Sequence, residues 1–189
     1  EDREPIAQNC TTPDGRWLIF SPADPEGSQD IWMTPLDDPA SARPFLESPD
    51  QNIQPNHSPD GRWLAFASDA SGRFEIYATP FPGGGRRWQV SRNGGQSPIW
   101  SRDGKEILFQ EKDRVLAAAV TTGPEFASET PVPLFGTESY FDPIPLLRAG
   151  DLLPDGRMLL FRRDDSEPPD RLDLILGFPA LLASRLPGP

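Results

Sequence analysis

The sequence predicts an all-β fold, a β-propeller segment of about four four-stranded antiparallel blades followed by a short C-terminal helix. Three observations carry that expectation. A nine-residue phrase recurs four times, it recurs at a regular interval, and 24 prolines and 16 glycines are spread through the 189 residues. Prolines and glycines so distributed interrupt long helices and suit short strands joined by turns. The copies are Thr12-Pro-Asp-Gly-Arg-Trp-Leu-Ile-Phe20, Ser58-Pro-Asp-Gly-Arg-Trp-Leu-Ala-Phe66, Ser101-Arg-Asp-Gly-Lys-Glu-Ile-Leu-Phe109 and Leu153-Pro-Asp-Gly-Arg-Met-Leu-Leu-Phe161. Their Asp residues stand roughly 43–52 apart, and four-stranded blades repeat at about 40–50 residues.

The first half of each copy reads as a turn. Pro presets φ, Asp bonds back to the nearby backbone, and Gly accepts a positive φ. Asp14-Gly15, Asp60-Gly61, Asp103-Gly104 and Asp155-Gly156 are therefore structural turn residues. The second half reads as a strand. Leu18, Leu64, Ile107 and Leu159 each stand two residues before a Phe, so each pair shares a face. The residue between them is apolar too, as expected of a sheet covered on both sides.

The remaining strands follow in order. A second strand is expected at 30–36, 75–81, 115–120 and 172–176, and a third at 42–46, 87–90 and 132–135. A short strand precedes each turn, clearest at Ser97-Pro-Ile-Trp100. Four strands per unit, repeated radially, make a propeller blade. The whole chain, 1–189, is thus one propeller segment with blades at about 6–47, 53–91, 97–136 and 146–178. Pro179 suits a first helical turn, and Phe178, Leu181, Leu182 and Leu186 share one helical face, so a helix is expected over 178–186.

Composition narrows the function classes. The 29 acidic residues against 18 basic ones leave a formal net charge of −11, which repels phosphate backbones and anionic lipid. No nucleic-acid partner is expected. No run approaches the roughly 20 apolar residues of a membrane span, so this segment is not expected to insert directly. Cys10 is the only cysteine, which excludes an internal disulfide and a thiolate metal cluster.

The most specific motifs are Ser58-Pro-Asp-Gly-Arg-Trp63, Gly72-Arg-Phe-Glu-Ile-Tyr-Ala-Thr-Pro-Phe-Pro82 and Arg87-Trp-Gln-Val-Ser91. With Val115 to Phe135 and the ending Leu174-Ile-Leu-Gly-Phe-Pro-Ala-Leu-Leu182, they make the chain resemble TolB-like, WD-repeat-like β-propeller repeats. Such repeats are found at the C-terminus of bacterial serine/threonine protein kinases and in related envelope proteins. The resemblance spans essentially the whole chain. It implies a sensor or interaction module, extracytoplasmic (periplasmic or cell-envelope), although a cytoplasmic setting stays open. The chain has no His-Arg-Asp loop, no Asp-Phe-Gly and no nucleotide-binding glycine loop in the right context, so kinase activity is not assigned to it.

Candidate chemical sites each have a plainer reading. Gly83-Gly-Gly-Arg-Arg87 lacks the Lys-Ser/Thr ending and the following helix of a phosphate cradle, and reads as a hairpin loop. His57 is the only histidine and occupies the register of Thr11, Trp100 and Leu152, a structural or rim position. With no second His it composes no transition-metal site. The acidic stretch Arg163 to Asp170 reads as a solvated loop rather than a calcium site. Ser58, Ser91 and Ser101 lack the Gly-flanked elbow of a hydrolase nucleophile. The five tryptophans fall mostly to the inter-blade core, with one or two free to rim a ligand face.

No catalytic, cofactor or metal residues are therefore expected. The expected function is non-enzymatic binding of a protein or peptide. The alternative is an accessory propeller of a kinase or a prolyl-oligopeptidase-like hydrolase whose catalytic domain lies elsewhere. Four blades of a repeat usually found in larger rings leave a blade face bare. Pairing with a second copy, or a need for further N-terminal blades, follows.

Overall fold

The computed structural model describes residues 6–22, 30–123, 125–136, 150–152, 158–160 and 173–175. Strands dominate, and the described residues contain one short 3-10 turn at Pro39–Ser41. The first sheet is β1 (Ile6–Thr11), β2 (Trp17–Pro22), β3 (Ile31–Pro35) and β4 (Arg43–Leu46), hydrogen-bonded in chain order. The second is β5 (Asn52–His57), β6 (Trp63–Ser68), β7 (Glu75–Pro80) and β8 (Trp88–Gln89), again in chain order. The third holds β9 (Gln96–Trp100), β10 (Glu106–Glu111), β11 (Arg114–Thr122), β12 (Phe126–Ser128) and β13 (Val132–Gly136). The last consists of β14 (Gly150–Leu152), β15 (Met158–Leu160) and β16 (Asp173–Ile175). Every ladder is antiparallel. The expected helix at 178–186, the turn Asp155-Gly156, the acidic loop 163–170 and the insertion 136–146 fall wholly or almost wholly outside the described residues.

Three copies of the repeated turn have the same wiring. Gly15 N–H donates to the Thr12 carbonyl at 2.9 Å, Gly61 to Ser58 at 2.9 Å and Gly104 to Ser101 at 3.0 Å. The glycines sit at φ +68°, +70° and +71°, in the left-handed region where a side chain would be strained. The leading hydroxyl then accepts from the strand five residues on: Trp17 N–H to Thr12 Oγ1, Trp63 to Ser58 Oγ and Glu106 to Ser101 Oγ, each 2.9 Å. The Asp carboxylates accept from Arg16, Arg62 and Lys105 N–H at 3.0–3.1 Å. The Thr12 hydroxyl, and after it the Arg16 N–H, hold the exposed Asp14 carboxyl below its ordinary value.

The core lies between sheets. Ile19, Ile31, Met33 and Leu46 of the first sheet pack on Leu64, Phe66 and Phe81 of the second. On the other side of the second sheet, Trp63, Ala65, Ala67, Ile76 and Ala78 meet Trp100, Ile107, Phe109, Leu116 and Ala118 of the third. Both faces of β6 are consequently covered, and all six of its residues are buried. The Leu/Ile-x-Phe phrase thus faces the preceding sheet in both copies whose packing against it is described.

The third sheet carries a strand that the sequence reading did not place. β12 pairs with the far end of β11, from Val120↔Ser128 to Thr122↔Phe126. Phe126 explains it. The ring is 4% exposed and lies 5.0 Å from Trp63 and 5.9 Å from Trp88, so the chain doubles back to bury it against the second sheet.

Candidate functional site

In the first three sheets the first strand lies beside its counterpart in the next, β1 by β5 and β5 by β9, so these strands are the innermost and line the axis. Each departs from regular pairing partway along. The register breaks between Ile6 and Gln8 in β1, between Ile53 and Asn56 in β5, and opposite Leu108–Gln110 in β9. At the last two breaks Gln54 (φ +60°) and Ser97 (φ +52°) take left-handed conformations, each immediately before a proline. Such bulges re-aim side chains along an inner strand. Here they let one blade grip the next. Ser97 N–H donates to Gln54 Oε1 at 2.6 Å, and Trp100 N–H donates to Asn56 Oδ1 at 2.9 Å.

Where β1, β5 and β9 end, they enclose a recess of about 510 Å³. Asn9, Cys10 and Thr11 line it from the first sheet, Asn56 and His57 from the second, and Ile99 and Trp100 from the third. Pro13, Ser58, Pro59 and Arg102 of the repeated turns complete the wall. The carboxyl-bearing parts of those turns are occupied with their own backbone, so the turns shape the opening. His57 is buried, with its ring 5.6 Å from Phe81 in an edge-on contact. Apolar surface from Ile99, Trp100 and the two prolines sits beside amide, imidazole, thiol and guanidinium groups. That mixture suits a ligand with both polar and apolar groups better than a purely apolar one.

The hydroxyls are committed to the fold. Ser58 Oγ lies 2.5 Å from Asp60 Oδ1 and accepts from Trp63 N–H, and Ser101 Oγ lies 2.7 Å from Asp103 Oδ1. Ser91 bonds to the buried Glu75 carboxylate and accepts from Ile76 N–H at 2.7 Å. Gly83 to Arg87 form the connection between β7 and β8, with Gly84 and Gly85 at positive φ and the Arg86 guanidinium 5.0 Å from the Trp88 ring centre. Trp63 and Trp100 are buried in the inter-blade core, while Trp17, Trp32 and Trp88 are half-buried. Among the described residues no group of three or more His, Cys, Asp or Glu is placed to hold a metal ion. Among them, too, no helix is long and apolar enough to cross a membrane.

The recess was missed in the sequence because it belongs to three strands from three repeats. A signal was present. Thr11, His57 and Trp100 occupy one register column immediately before the turn, and a column at the end of every innermost strand must ring the axis.

Solved structures match this arrangement at low identity. TolB from Acinetobacter baumannii is 19% identical with a TM-score of 0.62, over 86% of this chain and 38% of that one. A protein assigned as TolB from Agrobacterium tumefaciens is 21% identical with a TM-score of 0.54, over 72% of this chain and 51% of that one. Oligogalacturonate lyase from Vibrio parahaemolyticus is 14% identical with a TM-score of 0.51, over 77% and 42%. The chain therefore spans about two fifths to one half of these proteins. The lyase shows that the fold also occurs in an enzyme, so fold alone does not decide activity. No curated protein sequence matches the chain. The model of the TolB beta propeller domain family (PD40) matches residues 9–175, and the chain belongs to that family.

Proposed function

We propose that the chain is a non-enzymatic binding module that takes a protein or peptide segment at the axial recess. The observation that carries this reading is the recess itself, with its apolar floor and polar wall built from Asn9, Asn56, His57, Trp100 and Arg102. The Ser58, Ser91 and Ser101 hydroxyls are engaged in turn and strand bonds, which favours binding over nucleophilic chemistry at them. The net charge of −11 favours partners that are neutral or basic overall, through long-range steering. We extend the reading to a sensor or adaptor part of a larger bacterial signalling or envelope protein, outside the cytoplasm, by analogy with the family.

Cys10 offers a direct test, being the only cysteine and part of the recess wall. Peptides selected from a random library on the purified chain should slow maleimide labelling of Cys10 in a saturable way. Thr11→Trp, which fills the recess from an exposed strand-end position, should weaken them about tenfold or more without shifting the melting temperature. Selected binders that leave Cys10 labelling unchanged and ignore Thr11→Trp would place recognition elsewhere and sink the proposal.

A further inference from the structure

The wall of the axial recess is one-sided in its chemistry. Acidic residues outnumber basic ones 29 to 18 in the chain, yet no Asp or Glu stands among the described residues that line the recess. The charged side chain there is Arg102. Each described turn at the rim matches its Asp with an Arg or Lys two residues on, so the turns balance in formal charge and Arg102 adds to them.

Asn56 supplies a donor of fixed direction. Its Oδ1 accepts Trp100 N–H at 2.9 Å. A backbone N–H can only donate, so this bond settles which end of the amide is oxygen and leaves Nδ2 as the other end. The Asn56 side chain makes no other hydrogen bond among the described residues, and Nδ2 is open to solvent. The amide therefore offers two N–H donors to whatever enters the recess. Across the seam in β9, Trp100 is 4% exposed, and its indole Nε1 is sealed from solvent with no acceptor among the described residues. Buried polar groups in folded proteins nearly always find a partner. Two lining residues of adjoining blades, tied to each other, thus both carry surplus donors.

We infer that the recess binds a carboxylate group of a peptide segment, with the Asn56 amide as its anchoring donor. The inference rests on the reading of the recess as a peptide-binding site and names the group that enters it. A carboxylate brings two oxygens with about four acceptor positions, and hydrogen bonds to a charged acceptor are roughly twice as strong as neutral ones. A cationic group would meet Arg102 and the donor end of Asn56, with no lining carboxylate to offset its lost hydration. The net charge of −11 acts on the partner as a whole and at long range, whereas the wall acts on the one group that reaches it.

The test uses peptides selected on the purified chain that protect Cys10 from maleimide. Each is resynthesised with its Asp or Glu changed to the matching amide, one position at a time. Separately, its C-terminal carboxylate is converted to an amide. One of these changes should raise the concentration for half-protection about tenfold or more, and which one does so names the source of the carboxylate. Asn56→Asp keeps an oxygen for Trp100 N–H but exchanges the Nδ2 donors for a second anionic oxygen. By titration calorimetry it should weaken the carboxylate peptide about tenfold or more, and its amide form far less. The peptide series on the unaltered chain needs no variant, so it decides even where the aspartate disturbs the seam. Protecting peptides that tolerate every amide replacement would overturn the carboxylate and leave peptide binding at the recess standing. So would an Asn56→Asp chain that binds both forms as tightly as the unaltered chain does. Peptides that bind without protecting Cys10 would remove the recess reading, and this inference with it.

Discussion

Glu75 carries a carboxylate that is 1% exposed and held by three donors. Arg73 Nε donates to Oε1 at 2.7 Å, Gly94 N–H donates to the same oxygen at 3.0 Å, and the Ser91 hydroxyl takes Oε2. Ser91 in turn accepts Ile76 N–H, so one acid ties β7 to the loop that leads into β9. Glu75→Ala should cost about 2–3 kcal/mol in urea unfolding, from a buried hydroxyl and an amide left without their acceptor. Glu75→Gln should cost less, since it keeps one acceptor oxygen. The close approach at Gly95 belongs to the same corner. An added Cβ would lie 2.7 Å from Ile76 Cγ1 and 3.0 Å from Ser91. At Glu106, burial and then the nearby Asp103 charge raise the carboxyl above its usual value of 4.5. The folded state thus holds that proton more tightly than the unfolded chain does, and ionised Glu106 destabilises the fold at neutral pH. Glu106→Gln should raise the melting temperature at pH 7, and the gain should vanish as pH falls through the raised folded value toward the unfolded one. A gain that persists unchanged in acid would contradict the assignment.

At the scale of elements, the turn and the strand that follows it were legible because their chemistry is local. Pro, Asp and Gly at fixed offsets specify the hairpin whatever surrounds it. Gly61→Ala should cost about 1–2 kcal/mol, since φ is +70° and the new Cβ would meet Pro13 Cδ at 3.4 Å. The same change at Gly15, with nothing within 4 Å, isolates the backbone part, so the difference between the two melting shifts measures the contact between successive turns. Other elements were not legible. The strand at Phe126–Ser128 exists because Phe126 finds Trp63 and Trp88 across a blade boundary, a partner some 40–60 residues away that no local window contains. The left-handed Gln54 and Ser97 are likewise held by contacts across blades, through Gln54 Oε1 and Ser97 N–H. The axial recess fails for the same reason, being an assembly of strand ends rather than a motif.

At the scale of the whole molecule, the sheets differ in how far their neighbours cover them. Among the described residues the second sheet packs through both faces, whereas the first packs through one. A repeat array draws its stability from neighbour contacts. Amides of β6 should therefore exchange with deuterium at least tenfold more slowly than those of β2 in the purified chain. Equal rates would mean that the array unfolds as one unit.

The aim of the Leu/Ile-x-Phe phrase toward the preceding sheet, at both described seams, gives the stack a direction, like the studs and tubes of a toy brick. A directed coupling of this kind is modular. The same phrase is reused at both described seams while the surface it meets changes, from Ile19, Ile31 and Met33 at one to Trp63, Ala65 and Ala67 at the other. Each joint is keyed on one side and free to vary on the other.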